Sequence, residues 1–231
     1  MSDATKDMKH TEYSAADIEV LEGLEPVRKR PGMYIGGTDS NALHHMVAEI
    51  IDNAMDEAVA GHADKIWFVH HADESVTIRD NGRGIPVDPH PKFKDKSALE
   101  VILTTLHSGG KFSNKAYNTS GGLHGVGLSV VNALSKSLIV EVARSGTLYK
   151  QHFAFGTPTG KLEEVGPVSN RKGTLVRFTP DDGIFEDTVF DPKRLYKLIQ
   201  SKAYLFRGVT IDWKDETLGE GDDTPAEATF H

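Results

Sequence analysis

Between Ser40 and Gly61 the chain carries Val47, Ile50, Ile51, Ala54, Met55 and Ala58 at the i, i+3, i+4, i+7 spacing of one buried helical face. A helix with a single apolar stripe needs a layer to lie on, and the neighbouring segments supply one. Strand candidates at 65–69 and 76–79 follow directly, joined by the polar turn Ala72-Asp73-Glu74-Ser75. From Leu138 onward the texture turns strand-rich, with candidates at 138–144, 148–155, 161–165, 174–180 and 209–213. Helices and strands do not alternate one for one, so the pattern predicts an α+β fold and not a doubly wound parallel sheet.

Other punctuation completes the outline. Residues 1–13 read as an arm, and Ser14-Ala-Ala-Asp17 reads as a capping box opening a short helix that Gly23 ends. The basic stretch Arg28-Lys29-Arg30 runs into a Pro31-Gly32 turn. Ser97 can cap a helix bearing Leu99, Ile102, Leu103 and Leu106, and a short buried helix is expected over 128–134. Asp191 with Pro192 in the first turn starts another, which carries Leu195, Leu198 and Ile199 inward. Residues 107–122 hold only Phe112 and Tyr117 among bulky apolar or aromatic side chains, and so long a loop is either functional or disordered. Residues 215–231 contain six acidic residues and no Lys or Arg, which predicts a frayed tail.

Composition removes whole classes. With 26 Lys+Arg against 34 Asp+Glu the chain carries a formal charge of −8, which argues against a non-specific nucleic-acid binder. The absence of cysteine excludes a disulfide framework, a thiolate zinc site and a cysteine nucleophile. No apolar leader and no run of about 18 apolar residues is present, so a soluble cytoplasmic protein with no membrane partner is expected.

Three constellations can carry chemistry. In Glu49-Ile-Ile-Asp52-Asn53-Ala-Met-Asp56-Glu57, Glu49, Asn53 and Asp56 share one stripe of the long helix and offer a base and an amide oxygen; any solvated helix face also looks like this. Asp80-Asn81-Gly82-Arg83-Gly84-Ile85-Pro86 follows a strand. Its carboxylate can accept from an exocyclic amine while bare glycine backbone admits a flat ring, although Asp-Asn-Gly is equally a tight turn. Gly121-Gly122-Leu123-His124-Gly125-Val126-Gly127 places four glycines before a helix, a ready cradle for phosphate. Between Lys92 and Lys115, five lysines (92, 94, 96, 111, 115) face Asp95 and Glu100, a local balance of 5 − 2 = +3, and Lys111 after Gly109-Gly110 could close over a polyphosphate or simply be solvated.

Other motifs fail on spacing. Gly156-Thr-Pro-Thr-Gly160-Lys161-Leu162 is one residue short of a P-loop and lacks the hydroxyl residue after lysine, and 121–127 misses the GxGxxG order. His44-His45 followed by Glu49 is not HExxH.

The order of helix Glu/Asn, Asp-x-Gly-x-Gly, lysine-bearing loop and Gly-rich turn resembles the GHKL ATPases: gyrase, Hsp90 chaperones, histidine kinases and MutL. Tyr13-Ser-Ala-Ala-Asp-Ile-Glu-Val-Leu21, Val27-Arg-Lys-Arg-Pro-Gly-Met-Tyr-Ile35, His107-Ser-Gly-Gly-Lys-Phe112 and the stretch 121–133 resemble the B-subunit family of bacterial type II topoisomerases, from Tyr13 to Lys214. Lys111-Phe-Ser-Asn-Lys115 and Gly23-Leu-Glu-Pro26 lean to its topoisomerase IV branch over the gyrase branch.

The resemblance implies a two-layer GHKL (Bergerat) sandwich over 14–214, with a mixed, mostly antiparallel sheet and helices on one face. It implies ATP and Mg²⁺ as ligands. Glu49 would be the general base, oriented by His45, and Asn53 the metal ligand. Asp80, aided by Thr174 and a water, would take the adenine amine. Ile50, Ile85, Ile102 and Val176 would wall the pocket, with Gly82 and Pro86 beside them. Gly122, Leu123, His124, Gly125, Val126, Gly127 and Leu128 would hold the phosphates with Lys111, while Arg83 and Arg144 would lie at the rim. Tyr13 and Ile18 would cross to a partner copy on ATP binding. Implied partners are a DNA-cleaving A subunit in an A2B2 heterotetramer, DNA through that complex, and competitive ATPase inhibitors. The resemblance also implies a missing transducer domain, hence a fragment that binds nucleotide, hydrolyses it slowly or not at all, and does not cleave DNA.

Overall fold

The computed structural model describes residues 20–108, 127–219 and 221–231. Burial alternates along each central strand, as side chains pointing to opposite faces require. In chain order the elements are α1 (Glu25–Lys29), α2 (Gly32–Ile35), α3 (Ser40–Val59), β1 (Lys65–His70), β2 (Val76–Asp80), α4 (Ala98–Thr104), α5 (Gly127–Ala133), β3 (Ser135–Arg144), β4 (Thr147–Ala154), β5 (Thr157–Pro158), β6 (Glu163–Pro167), β7 (Gly173–Pro180), α6 (Pro192–Leu205), β8 (Thr210–Asp215) and β9 (Glu227–Phe230).

The strands form one sheet in the order β5-β4-β3-β7-β2-β1-β8-β9, with β6 beside β4. Every pairing is antiparallel except β1 with β8. Ile66, Phe68, Val76, Ile78, Val140, Val176, Phe178, Ile211 and Trp213 point to one face. They share a core with Leu43, Val47, Ile50 and Ile51 of α3, Val130 and Val131 of α5, and Leu195 and Ile199 of α6. Phe68 and Trp213 stack at 5.0 Å, and full burial of such a side chain contributes roughly 1.5–3 kcal/mol. The result is the expected α+β arrangement, two layers with helices on one face.

The helix starts are local chemistry. Asp39 caps α3 by accepting from the Ala42 amide at 3.0 Å, and the helix begins at Ser40 as expected. Ser97 accepts from the Glu100 amide at 3.0 Å, and Asp191 accepts from the Lys193 amide at 2.9 Å and the Arg194 amide at 3.2 Å. Two segments differ from expectation. The Pro31-Gly32 turn opens a short helix, α2, with Pro31 at its N-cap, and the basic stretch before it is already partly helical in α1, where Pro26 sits in the first turn and its missing N–H costs nothing. The acidic tail is not frayed throughout, because residues 227–230 pair antiparallel with β8, place Phe230 opposite Ile211, and bury it. The capping box at 14–17 and most of the 107–122 loop lie outside the described residues.

A buried charged cluster ties the far end of the sheet. His70, fully buried, lies 2.9 Å from Asp215 through Nδ1 and 3.1 Å from Glu74 through Nε2. Burial opposes its charge, but the hydrogen bond and charge of Asp215, then those of Glu74, outweigh it and hold the imidazole above its ordinary value.

Candidate active site

Helix α3 serves as the ruler of the site. Glu49, Asn53 and Glu57 recur every fourth residue on one flank, so Glu49 and Glu57 are separated by about 12 Å along the axis. At the first position His45 Nε2 lies 2.9 Å from Glu49 Oε1. Asn53 donates its side-chain N–H to the Glu49 carbonyl at 2.8 Å, which fixes which end of the amide is oxygen. At the third position Glu57 accepts from the backbone amide of Arg83 at 2.9 Å and from its guanidinium at 3.2 and 2.7 Å. Asp56, expected on this stripe, is instead buried at 2% exposure, and Glu57 takes the outward place.

Asp80 ends β2 on the core-facing register, so its carboxyl is buried at 6% exposure. Its Oδ1 accepts from the Gly82 amide at 2.8 Å and the Thr174 amide at 3.3 Å. Both bonds fall on Oδ1, which leaves Oδ2 to meet a donor brought by a ligand. Burial pushes the carboxyl up to about 6; the two amides oppose this and the Glu57 charge adds to it. The group is therefore an anion and a pure acceptor near neutral pH.

Glycine is required where backbone closes on this carboxylate. A Cβ at Gly82 would stand 2.7 Å from Glu57 Oε2 and 2.8 Å from Asp80 Oδ1. At Gly173, with φ +105°, a Cβ would overlap the Asp80 carbonyl. The Thr174 hydroxyl then accepts from the Ile85 amide at 3.2 Å, and Arg144 on β3 donates to the Gly84 carbonyl at 2.8 Å and the Arg83 carbonyl at 3.3 Å.

At the opposite end of the ruler Gly127, the first residue of α5, leaves no room for a Cβ, which would overlap Glu49 Oε2. Ile85 and Leu128 are partly buried against the core, whereas Ile50 at 2% and Val176 at 4% exposure could form only the back of a pocket. Ile102 is half-buried on α4, and Pro86 and Arg83 are exposed. Tyr13, Lys111, Gly122, Leu123, His124, Gly125 and Val126 lie outside the described residues. Sequence reasoning missed Glu57 as a member of the site. The signal was there, because its spacing continues the Glu49–Asn53 ladder.

The residues suit a small hard cation: the amide oxygen of Asn53 is a ligand of the kind Mg²⁺ accepts while keeping several waters.

A buried acceptor carboxylate, a carboxylate held by histidine and a glycine-started helix thus lie along one 20-residue helix. The family model described as "Histidine kinase-, DNA gyrase B-, and HSP90-like ATPase" matches residues 38–184, a span that contains all three. The chain belongs to this ATPase family. Membership makes it a nucleotide-binding domain and accounts for a sheet with one helical face. The B subunit of DNA topoisomerase 4 from Caulobacter vibrioides is 63% identical over 221 residues, covering 95% of this chain and 32% of the relative. The corresponding DNA topoisomerase 4 protein of Rickettsia conorii is 63% identical over 211 residues, covering 91% and 32%. The B subunit of DNA gyrase from Haloferax volcanii is 55% identical over 214 residues, covering 90% and 33%. The 43K ATPase domain of Thermus thermophilus gyrase B, solved in complex with an aminocoumarin, superposes with a TM-score of 0.77 at 43% identity, covering 90% of this chain and 50% of that one. The chain spans about a third of the length of the topoisomerase relatives it matches. Among the described residues no helix is long and apolar enough to cross a membrane.

Proposed function

We propose that this chain is the ATP-binding and hydrolysing module of a type II DNA topoisomerase, on the topoisomerase IV side of the B-subunit family. The observation that carries the reading is the α3 ruler, with a base-recognising carboxylate at one end and a water-activating carboxylate at the other. Asp80 accepts from the adenine amine, with Thr174 and the Gly82 backbone beside the ring. Arg83, Pro86 and Arg144 form the rim. Residues 122–128, with Lys111, receive the phosphates on backbone amides and one ammonium.

Glu49 orients the attacking water and takes its proton, and His45 holds the carboxylate in place. Asn53 would hold Mg²⁺, which when bound neutralises phosphate charge. In the whole protein, nucleotide binding would bring two copies together through Tyr13 and the rest of the N-terminal arm. That dimer would act on DNA with an A subunit in an A2B2 assembly. The higher identity to the two topoisomerase 4 relatives, 63% against 55% for the gyrase relative, supports that branch.

The test is titration with a non-hydrolysable ATP analogue and Mg²⁺. Asp80→Asn replaces an acceptor by a donor and should weaken affinity roughly 10- to 100-fold. Glu49→Ala should keep analogue affinity and, in an ATP turnover assay of the whole protein, lower the rate by about 10²–10⁴. Wild-type affinity in Asp80→Asn would reject this pocket.

A further inference from the structure

We propose that Arg28 is a positioning residue for hydrolysis, fixing the far end of α5 and, through that helix, the seat of Gly127 against Glu49. The inference rests on the nucleotide-hydrolysing reading above. Arg28 lies on α1, remote from Asp80, Asn53 and Glu49 in sequence. Its guanidinium donates to the carbonyl of Ala133, the last residue of α5, at 2.6 Å. It also donates to Asp181 Oδ2 at 2.7 Å, where the Asp181 side chain is only 4% exposed. The same group lies over the Phe155 ring, 5.2 Å from its centroid. Phe155 has φ +52°, a strained turn that the surrounding structure must hold.

These contacts belong to a clamp on one end of α5. The Asp181 amide donates to the Leu134 carbonyl at 3.0 Å. The buried Asn132 side chain donates to the Leu103 carbonyl at 2.9 Å and the Gly156 carbonyl at 3.2 Å. At the other end Gly127 is packed so closely on Glu49 that a Cβ has no room. The helix is a rigid rod of seven residues, so a shift at Ala133 arrives at Gly127, about 9 Å away, with little loss. A cation at a helix C-terminus is also favoured by the exposed carbonyls. Arginine suits the junction because its planar fork reaches a carbonyl and a carboxylate together, whereas lysine offers one ammonium.

Two readouts test this, the first on the chain alone and the second in the whole protein. The ring resonances of His45, 2.9 Å from Glu49, report that carboxylate without any nucleotide. Arg28→Gln should move them in the same sense as Gly127→Ala, which pushes directly on Glu49. Lys136→Gln, which removes an exposed ion pair to Asp182, should leave them in place. With nucleotide, Arg28→Gln in the whole protein should lower turnover at saturating ATP by about tenfold and change analogue affinity by less than about threefold. In a Glu49→Gln background it should lower the residual rate by less than about twofold, because the effect travels through Glu49. Arg28→Lys should fall between wild type and Arg28→Gln, and it is judged by the same criteria if Arg28→Gln does not fold. Unmoved His45 signals in a folded Arg28 variant, or a full additional loss in the Glu49→Gln background, would overturn the proposal. A wild-type chain that binds no nucleotide would instead overturn the functional reading, and the His45 signals would still decide the role of Arg28.

Discussion

Asp80 should be a site where function costs stability. Folding raises its carboxyl from 3.8 to about 6, which corresponds to about 3 kcal/mol of destabilisation once the folded group is ionised, at ~1.4 kcal/mol per pH unit. The sign follows from proton counts. Between these two values the native state binds more protons than the unfolded one, so stability falls as pH rises from 3.8 to about 6 and is level above. Asparagine removes the charge yet keeps Oδ1 as acceptor for the Gly82 and Thr174 amides at 2.8 and 3.3 Å. Asp80→Asn should therefore melt higher than wild type at pH 8, by up to about 6–12 °C for a domain of this size. The gap should shrink steadily as pH is lowered from 6.5 to 5. The assay is ligand-free thermal unfolding of both proteins across pH 5–8, beside the analogue titration. A variant less stable than wild type at pH 8, or a gap independent of pH, would refute the claim that burial of an anion governs this site.

Two further outcomes follow from contacts elsewhere. Gly82→Ala puts a methyl 2.7 Å from Glu57 and 2.8 Å from Asp80, so it should cost about 1–3 kcal/mol in denaturant unfolding and weaken analogue binding about tenfold. Below pH 6.5, His70→Gln leaves Asp215 without its cationic partner and should cost about 3 kcal/mol. Because the folded imidazole is held above 6.5, its stabilisation is complete below 6.5 and lost as pH rises through the folded value. The wild-type melting temperature should therefore show an alkaline decline that His70→Gln lacks, and identical profiles would remove the charged pair from the account.

Residues whose neighbours are near in sequence were the readable ones. The apolar face of α3 follows from its 3.6-residue period, and the Asp191 and Ser97 caps lie next to the helices they start. The Asp80 and Gly127 motifs were visible because glycine is costly unless backbone must approach something, and here it approaches carboxylates. What escaped depends on partners far along the chain. His70 meets Asp215 145 residues away, and Arg28 meets Ala133 105 away; the position of Glu57 was legible from its helical spacing, but its bond to Arg83, 26 residues on, was not. β9 escaped because its acidic setting outweighs four residues of alternation, and only pairing with β8 makes Phe230 a core residue.

The same distinction explains how three motifs become one site. Glu49, Asn53 and Glu57 are local to α3, so their alignment is dictated by helix geometry alone. Gly127 and the 80–84 turn reach them only because β2 and α5 pack against α3 and share its core. Glu57 then serves two ends at once: it receives three N–H groups of Arg83, and its negative charge opposes ionisation of Asp80. Neutralising Glu57 should thus lower the Asp80 value while loosening the 80–84 turn that presents it. These effects oppose each other in affinity, so only measuring the carboxyl titration and the binding constant separately can resolve them.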